Sequence, residues 1–207
     1  MEYKFQDILK NIIPGFYIIL GLIILFYIGG YIDLEFVNRV KFVPEEIALF
    51  FIPLVFYIVG YVNDILSSYF EYQLYQYFYQ RPSELLLNAK KKRYTLLYLS
   101  KIKKKLDLSS KVISKEEAYQ AFQRANILKD SNDNIIAEFY VSYIFARNLM
   151  TANVIIVFTA LVFMISFGQY CMFMSVFFVY AILSILFIYR WRQKAIYYSK
   201  RVFNSIK

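Results

Sequence analysis

The stretch Ile12–Ile32, IIPGFYIILGLIILFYIGGYI, decides the reading of this chain, because it holds no Asp, Glu, Lys or Arg. A helix rises about 1.5 Å per residue, so about 20 apolar residues cross the roughly 30 Å hydrocarbon core of a bilayer. Three more stretches have the same character: Ile47–Val62, Ala152–Gly168 and Cys171–Tyr189. The second is short for a crossing. It reaches full length by taking in Asn63 and Asp64 or the aromatic turn beyond them. The last two fit as a pair if Gly168 and Gln169 form a tight hairpin. The expected fold is all-α: a polytopic membrane protein with four transmembrane helices and a cytoplasmic helical insert.

Composition agrees with that reading. Hydrophobic residues make up 59% of the 207 residues, with 21 Tyr and 21 Phe. A soluble domain of this size has no single core able to bury so much apolar surface. The formal net charge of +9 lies almost wholly between and after the spans. Ser67–Met150 carries 14 Lys/Arg against 8 Asp/Glu, and Arg190–Lys207 carries 6 Lys/Arg and no acid. The link Asp33–Glu46 has only Arg39 and Lys41 against four acids. Basic segments stay on the cytoplasmic side. Four crossings then place both termini and the central segment on the cytoplasmic side. The first apolar run is longer than a signal core and no small-x-small site follows it, so no cleavable signal is expected.

Three segments follow: 1–66, an N-terminal transmembrane hairpin; 67–150, the basic helical insert; and 151–207, a C-terminal transmembrane hairpin with a basic tail. The second span is expected to continue through a collar of Tyr69, Tyr72, Tyr75, Tyr77 and Tyr79, since tyrosine favours the membrane–water interface. Pro82 and Ser83 should end it, with Ser83 capping a new helix through about Leu106. Ser114-x-x-Glu117 is a capping box that opens a helix over Lys115–Lys129, with Ala118, Phe122, Ala125 and Leu128 at helical spacing. Asp130–Asp133 is a turn cluster. The next helix should start near Asn134 and run unbroken into the third span, with Ile135, Phe139 and Ile144 on its apolar face.

Much chemistry is excluded by composition. The chain has no His and a single cysteine, Cys171. The commonest general base is therefore missing, as is any conventional zinc or iron–sulfur ligand set. No Gly-rich phosphate loop is present. An intramembrane aspartyl protease needs two facing acids, and only Asp64 lies at such depth. The chain reads as a non-enzyme without cofactor, with no catalytic and no metal-binding residues.

Three features carry the remaining interest. Asn63 and Asp64 end the second span, and Arg147 and Asn148 stand at matching depth on the third. Charges at that depth are paired or line water. The set reads as a structural contact between helices, as a polar element of a pore or gate, or as simple exposure at the interface. The second set is basic: Lys90, Lys91, Lys92 and Arg93, then Lys101, Lys103, Lys104 and Lys105. On one continuous helix Lys90, Lys101, Lys104 and Lys105 share a face that suits anionic lipid or a phosphate-rich partner such as RNA. The tail, with Trp191, Tyr197 and Tyr198 among its cations, reads as an interfacial anchor.

The whole layout resembles a family of small accessory proteins with four membrane spans. They accompany the RNA-guided, RNA-cutting effector of type VI-B CRISPR systems. Related membrane proteins of phage-defence loci look similar. The resemblance runs over two spans, a basic insert, the polar approach Glu138–Ser142 and Ala146–Leu149, and a closing hairpin. It implies a homo-oligomer that modulates an RNA-guided nuclease or perturbs the inner membrane. The implied partners are membrane lipids and a nuclease complex or RNA at the basic insert. The alternative from another class is a small ion channel or transporter unrelated to defence.

Charge asymmetry makes the topology testable. In a Cys171→Ser background, single cysteines at positions 38 and 169 should react with an impermeant thiol reagent added outside sealed cells. Cysteines at 92 and 207 should not. Labelling at position 92 would overturn the arrangement.

Overall fold

The computed structural model describes residues 2–32, 44–88, 96, 98–108, 112–129, 134–167 and 170–206. Seven helices are found among them: α1 (Glu2–Ile28), α2 (Glu45–Tyr77), α3 (Pro82–Leu87), α4 (Leu99–Lys105), α5 (Lys115–Leu128), α6 (Asn134–Phe167) and α7 (Tyr170–Asn204). Four are long and apolar enough to cross a membrane, over Ile8–Ile28, Ile47–Tyr77, Asn134–Ser166 and Phe173–Asn204. The chain is an all-α membrane protein. The Gly168–Gln169 hairpin, the Asp130–Asp133 turn and the Lys90–Arg93 cluster lie outside the described residues.

The chain forms two compact units, residues 1–70 with 144–190, and residues 71–143 with 191–207. The sequence divides into three consecutive segments, whereas the folded chain joins both hairpins in one unit and gives the tail to the insert.

In the first unit, glycine decides how closely α1 and α2 approach. A Cβ on Gly15 would collide with the Phe56 carbonyl, and one on Gly60 with the Asn11 carbonyl. Each helix thus presents bare backbone to the other, as small residues allow in membrane interfaces. Gly21 receives Ile156 of α6 in the same way. Leu25, Ile156, Ala160 and Phe173 form the buried apolar core, with Tyr17, Phe163 and Tyr180 packed against it. The helix α1 stops at Ile28, short of the expected Ile32. Gly30 takes φ +74°, and the amides of Gly30 and Tyr31 donate to the carbonyls of Tyr27 and Phe26. That is a glycine-terminated helix end, in which the left-handed residue turns the chain back on its last carbonyls.

The second unit has its own core of Leu86, Leu87, Leu96, Ile102, Leu106, Ile113, Ala118, Ala121, Ala125, Ile136, Val202 and Phe203, among others. The Ser114 capping box forms: Ser114 Oγ accepts from Glu117 N at 3.2 Å, and Ser114 N donates to Glu117 Oε2 at 2.9 Å. The backbone and side-chain bonds from Ser114 hold the Glu117 carboxyl below its ordinary pKa. Behind that cap, Ala118, Ala121 and Ala125 give α5 a thin buried face. The helix α6 runs unbroken from Asn134, although Ile136 rather than Ile135 faces the core.

Three expectations need correction. Ser83 does not cap the helix after Tyr77. Arg81 holds the N-cap position with Pro82 as the first helical residue, where a missing N–H has no helical partner to lose. Nor does one helix run from Ser83 to Leu106. It ends at Leu87, and α4 begins only at Leu99. The amide of Asn88 is held instead by Ile113, donating to its carbonyl at 2.7 Å and accepting from its N–H at 2.9 Å. Finally, the tail is more than an interfacial anchor. Trp191, Ala195, Tyr198 and Val202 recur at helical spacing and are buried. Trp191 packs on Tyr75 and Tyr79, and Tyr198 stacks on Tyr143 with centroids 5.7 Å apart.

Candidate functional site

The polar residues of the first unit gather on one stretch of α6, Arg147–Asn153. Arg147 Nη2 donates to Asp64 Oδ1 at 2.6 Å, with the arginine side chain buried and the aspartate partly so. This joins α6 to α2 by a charge-assisted bond, the stronger kind of hydrogen bond. One residue on, Asn148 is fully buried. Its carbonyl accepts from Asn63 Nδ2 at 2.9 Å. Its Oδ1 lies 2.7 Å from Ser67 Oγ, whose single proton can go there or to the Asp64 carbonyl at 2.8 Å. Asn63, Asp64 and Ser67 occupy one inward flank of α2 because three- and four-residue steps return to the same side of a helix.

Asn148 also reaches α1, and a proline explains how. Pro14 lies inside α1. It has no N–H to give to the carbonyl four residues earlier, which is that of Lys10. Asn148 Nδ2 donates to the Lys10 carbonyl instead, at 3.4 Å. A proline in a membrane helix is tolerated where a neighbouring helix satisfies the freed group.

Asn153 makes the corresponding set of bonds on another side of α6. Five residues turn a helix through about 140° from Asn148. Asn153 Oδ1 accepts from Tyr17 Oη of α1 at 2.6 Å. Its Nδ2 donates to the Tyr180 carbonyl at 2.7 Å and Ser184 Oγ at 2.6 Å, both on α7. Every hydrogen-bonding group of this buried amide is therefore engaged. Together Arg147, Asn148 and Asn153 bind α6 to each of the other three spans.

The sequence singles out Asn63, Asp64, Arg147 and Asn148, and the fold brings all four together. Sequence reasoning missed Asn11, Tyr17, Ser67, Asn153 and Ser184. The available signal was the spacing of polar residues within apolar runs: Asn63 and Ser67 one turn apart, and Asn148 and Asn153 with no charge between them. Asn11 Oδ1 and Asn63 Oδ1 are buried acceptors without a hydrogen-bond partner among the described residues. Each suits a small donor such as water, which commonly satisfies such groups.

The basic set is only partly described. Lys101, Lys104 and Lys105 are exposed on α4, and Lys103 is half-buried. Ile102 and Leu106 turn the other way into the core. Lys103–Lys105 form the last turn of the helix, where cations oppose the negative end of the helix dipole. Arg124 Nη1 adds a bond to the Leu106 carbonyl at 3.3 Å. Because α3 ends at Leu87 and α4 begins at Leu99, the one continuous helix expected to carry a face from Lys90 to Lys105 is interrupted; Lys90 itself lies outside the described residues.

The ion pair predicts a definite mutational pattern. Asp64→Ala and Arg147→Ala should each lower the folded fraction in a bilayer. The double variant should be milder than the sum of the two, with a coupling of about 1 kcal/mol or more, since removing one partner leaves a charge unpaired. A double-mutant cycle measured by thermal unfolding in nanodiscs tests this, and strict additivity would contradict it.

No protein-family model, curated protein or solved structure matches this chain.

Proposed function

We propose that this chain is a non-enzymatic membrane accessory of bacterial, CRISPR-type antiphage defence. It acts as a homo-oligomer in the inner membrane, with both termini in the cytoplasm, and modulates an RNA-guided nuclease or perturbs the membrane. The observation that carries the accessory role is the pairing of an internally bonded span region with a separately folded basic insert. Asp64, Asn148 and Asn153 hold helices to one another. The insert has its own apolar core and turns Lys101, Lys104 and Lys105 outward. The assignment to defence rests on the resemblance in layout.

Such a lysine face meets phosphate-rich surfaces, either anionic lipid or RNA, without reading sequence. The channel reading draws on one observation of its own, the spare acceptor oxygens of Asn11 and Asn63 within the spans.

The test joins the insert to the output. Neutralising Lys90, Lys91, Lys92, Arg93, Lys101, Lys103, Lys104 and Lys105 together should leave membrane insertion intact, because Arg81, Lys111 and Lys115 still hold the segment inside. It should abolish the protein's effect on phage protection and membrane potential in cells carrying a triggered RNA-guided nuclease. Binding of the unaltered protein to its anionic partner should weaken as salt rises. Unchanged protection and depolarisation after all eight substitutions would overturn the proposal.

A further inference from the structure

The outward side of α2 is unlike that of the other spans. Its inward side carries Gly60, Asn63, Ser67, Glu71 and Tyr75, all buried. On an outer flank, Phe50, Leu54, Tyr57, Tyr61 and Ile65 follow one another at steps of four, three, four and four, forming a single stripe. All five are exposed, Tyr57 by 38% and Tyr61 by 53%. Neither tyrosine hydroxyl bonds to any other described residue.

Depth makes this consequential. Tyr57 lies about 16 Å along the helix from Glu46 and about 10 Å from Asp64, at about 1.5 Å per residue. Those are the charged residues flanking the apolar run. Helical side chains lean toward the N-terminus, so the Tyr57 hydroxyl leans toward the distant Glu46 end. It stays among lipid tails, which offer no hydrogen-bond partner, and an unbonded hydroxyl there is costly. The other spans do not expose such a hydroxyl to lipid: the mid-span Tyr180 hydroxyl of α7 also bonds to no described residue, but Tyr180 is half-buried and packed on the unit's apolar core. Mid-span, the outward side chains of α1, α6 and α7 are hydrocarbon or thioether, as with Leu20, Phe158 and Ile182. Their exposed tyrosines lie at or beyond the ends of the apolar runs, as Tyr27 and Tyr189 do. Thr159 and Ser184 bond to carbonyls one turn back.

We infer that the Phe50–Ile65 stripe of α2 is the surface by which two copies of this chain associate, with Tyr57 and Tyr61 hydroxyls bonding across the contact. This rests on the homo-oligomer of the proposed function and specifies its surface. A second copy fits for a geometric reason. All copies insert with the same orientation, so their symmetry axis runs along the membrane normal and equivalent residues lie at equal depth. Tyr57 of one copy therefore meets the level of Tyr57 of the next. A phenol both donates and accepts, so the stripe complements itself. It also carries no charge that would repel its twin.

Cysteine cross-linking in native membranes tests the surface. In a Cys171→Ser background, Tyr57→Cys and Tyr61→Cys should give disulfide-linked dimers on oxidation, and Ile182→Cys on the outward side of α7 should not. Separately, Tyr57→Phe with Tyr61→Phe should weaken association by about three- to tenfold, measured by energy transfer as the protein is diluted in lipid vesicles. Dimers linked through position 182 but not 57 or 61 would overturn this surface while leaving the oligomer in place. A monomer at every dilution would overturn both. A cross-link from position 57 to a different membrane protein would replace the second copy as the occupant. Dimers at 57 without any effect on phage protection would support this inference and count against the defence role.

Discussion

Inside a membrane the apolar effect stops distinguishing one helix neighbour from another, because lipid tails are as apolar as leucine. What remains is close packing and the need to bond every polar group. In this chain that need is concentrated in the seven residues Arg147–Asn153 of α6. Asp64 pairs with Arg147, Asn63 and Ser67 bond Asn148, and Tyr17 and Ser184 bond Asn153. The two glycine contacts of α1 with α2 bring backbones close, and Pro14 releases a carbonyl where Asn148 can use it. Remove these polar side chains and four nearly featureless helices have little to fix their order or rotation.

The basic unit is built on a different principle. Leu86, Leu87, Leu106 and Phe203 are buried together, as in the core of a soluble domain, where burial from water is the main favourable term. Cations stay at its edges and reuse aromatic faces: the Arg81 guanidinium lies 4.4 Å from the centroid of the Tyr119 ring, and Arg192 lies equally close to Tyr79. Cation–π contacts of this kind hold charge against apolar surface at small cost. One chain thus combines a lipid-solvated unit held by polar bonds with a second unit held by apolar burial.

The spans were legible because a run of about 20 uncharged residues has few other uses, and so was the start of α5, since Ser114 and Glu117 sit at capping-box spacing. The meeting of Asp64 and Arg147 was readable because charge at that depth demands a partner. Asn153, Tyr17 and Ser184 were not, since each is a single polar residue in an apolar run and its partner depends on helix rotation. The break after Leu87 was hidden for a similar reason. Lys90–Leu106 has ordinary helix formers, and only the distant Ile113 backbone reveals what Asn88 does. The tail misled because Trp191 and Tyr198 have the composition of an interfacial anchor, while their burial is decided by tertiary contacts.

Polar bonding as the organiser of the spans is tested most directly by making α6 more apolar. Asn153→Leu keeps a side chain of similar size, removes three hydrogen bonds and should raise lipid solubility. If polar bonds hold the spans together, this variant will unfold more readily in lipid nanodiscs, by about 1–2 kcal/mol, and the Tyr17 hydroxyl will lose its fixed partner. If apolar packing alone suffices, the variant will be as stable as the original chain or more so, and that result would contradict the central role given to Arg147–Asn153.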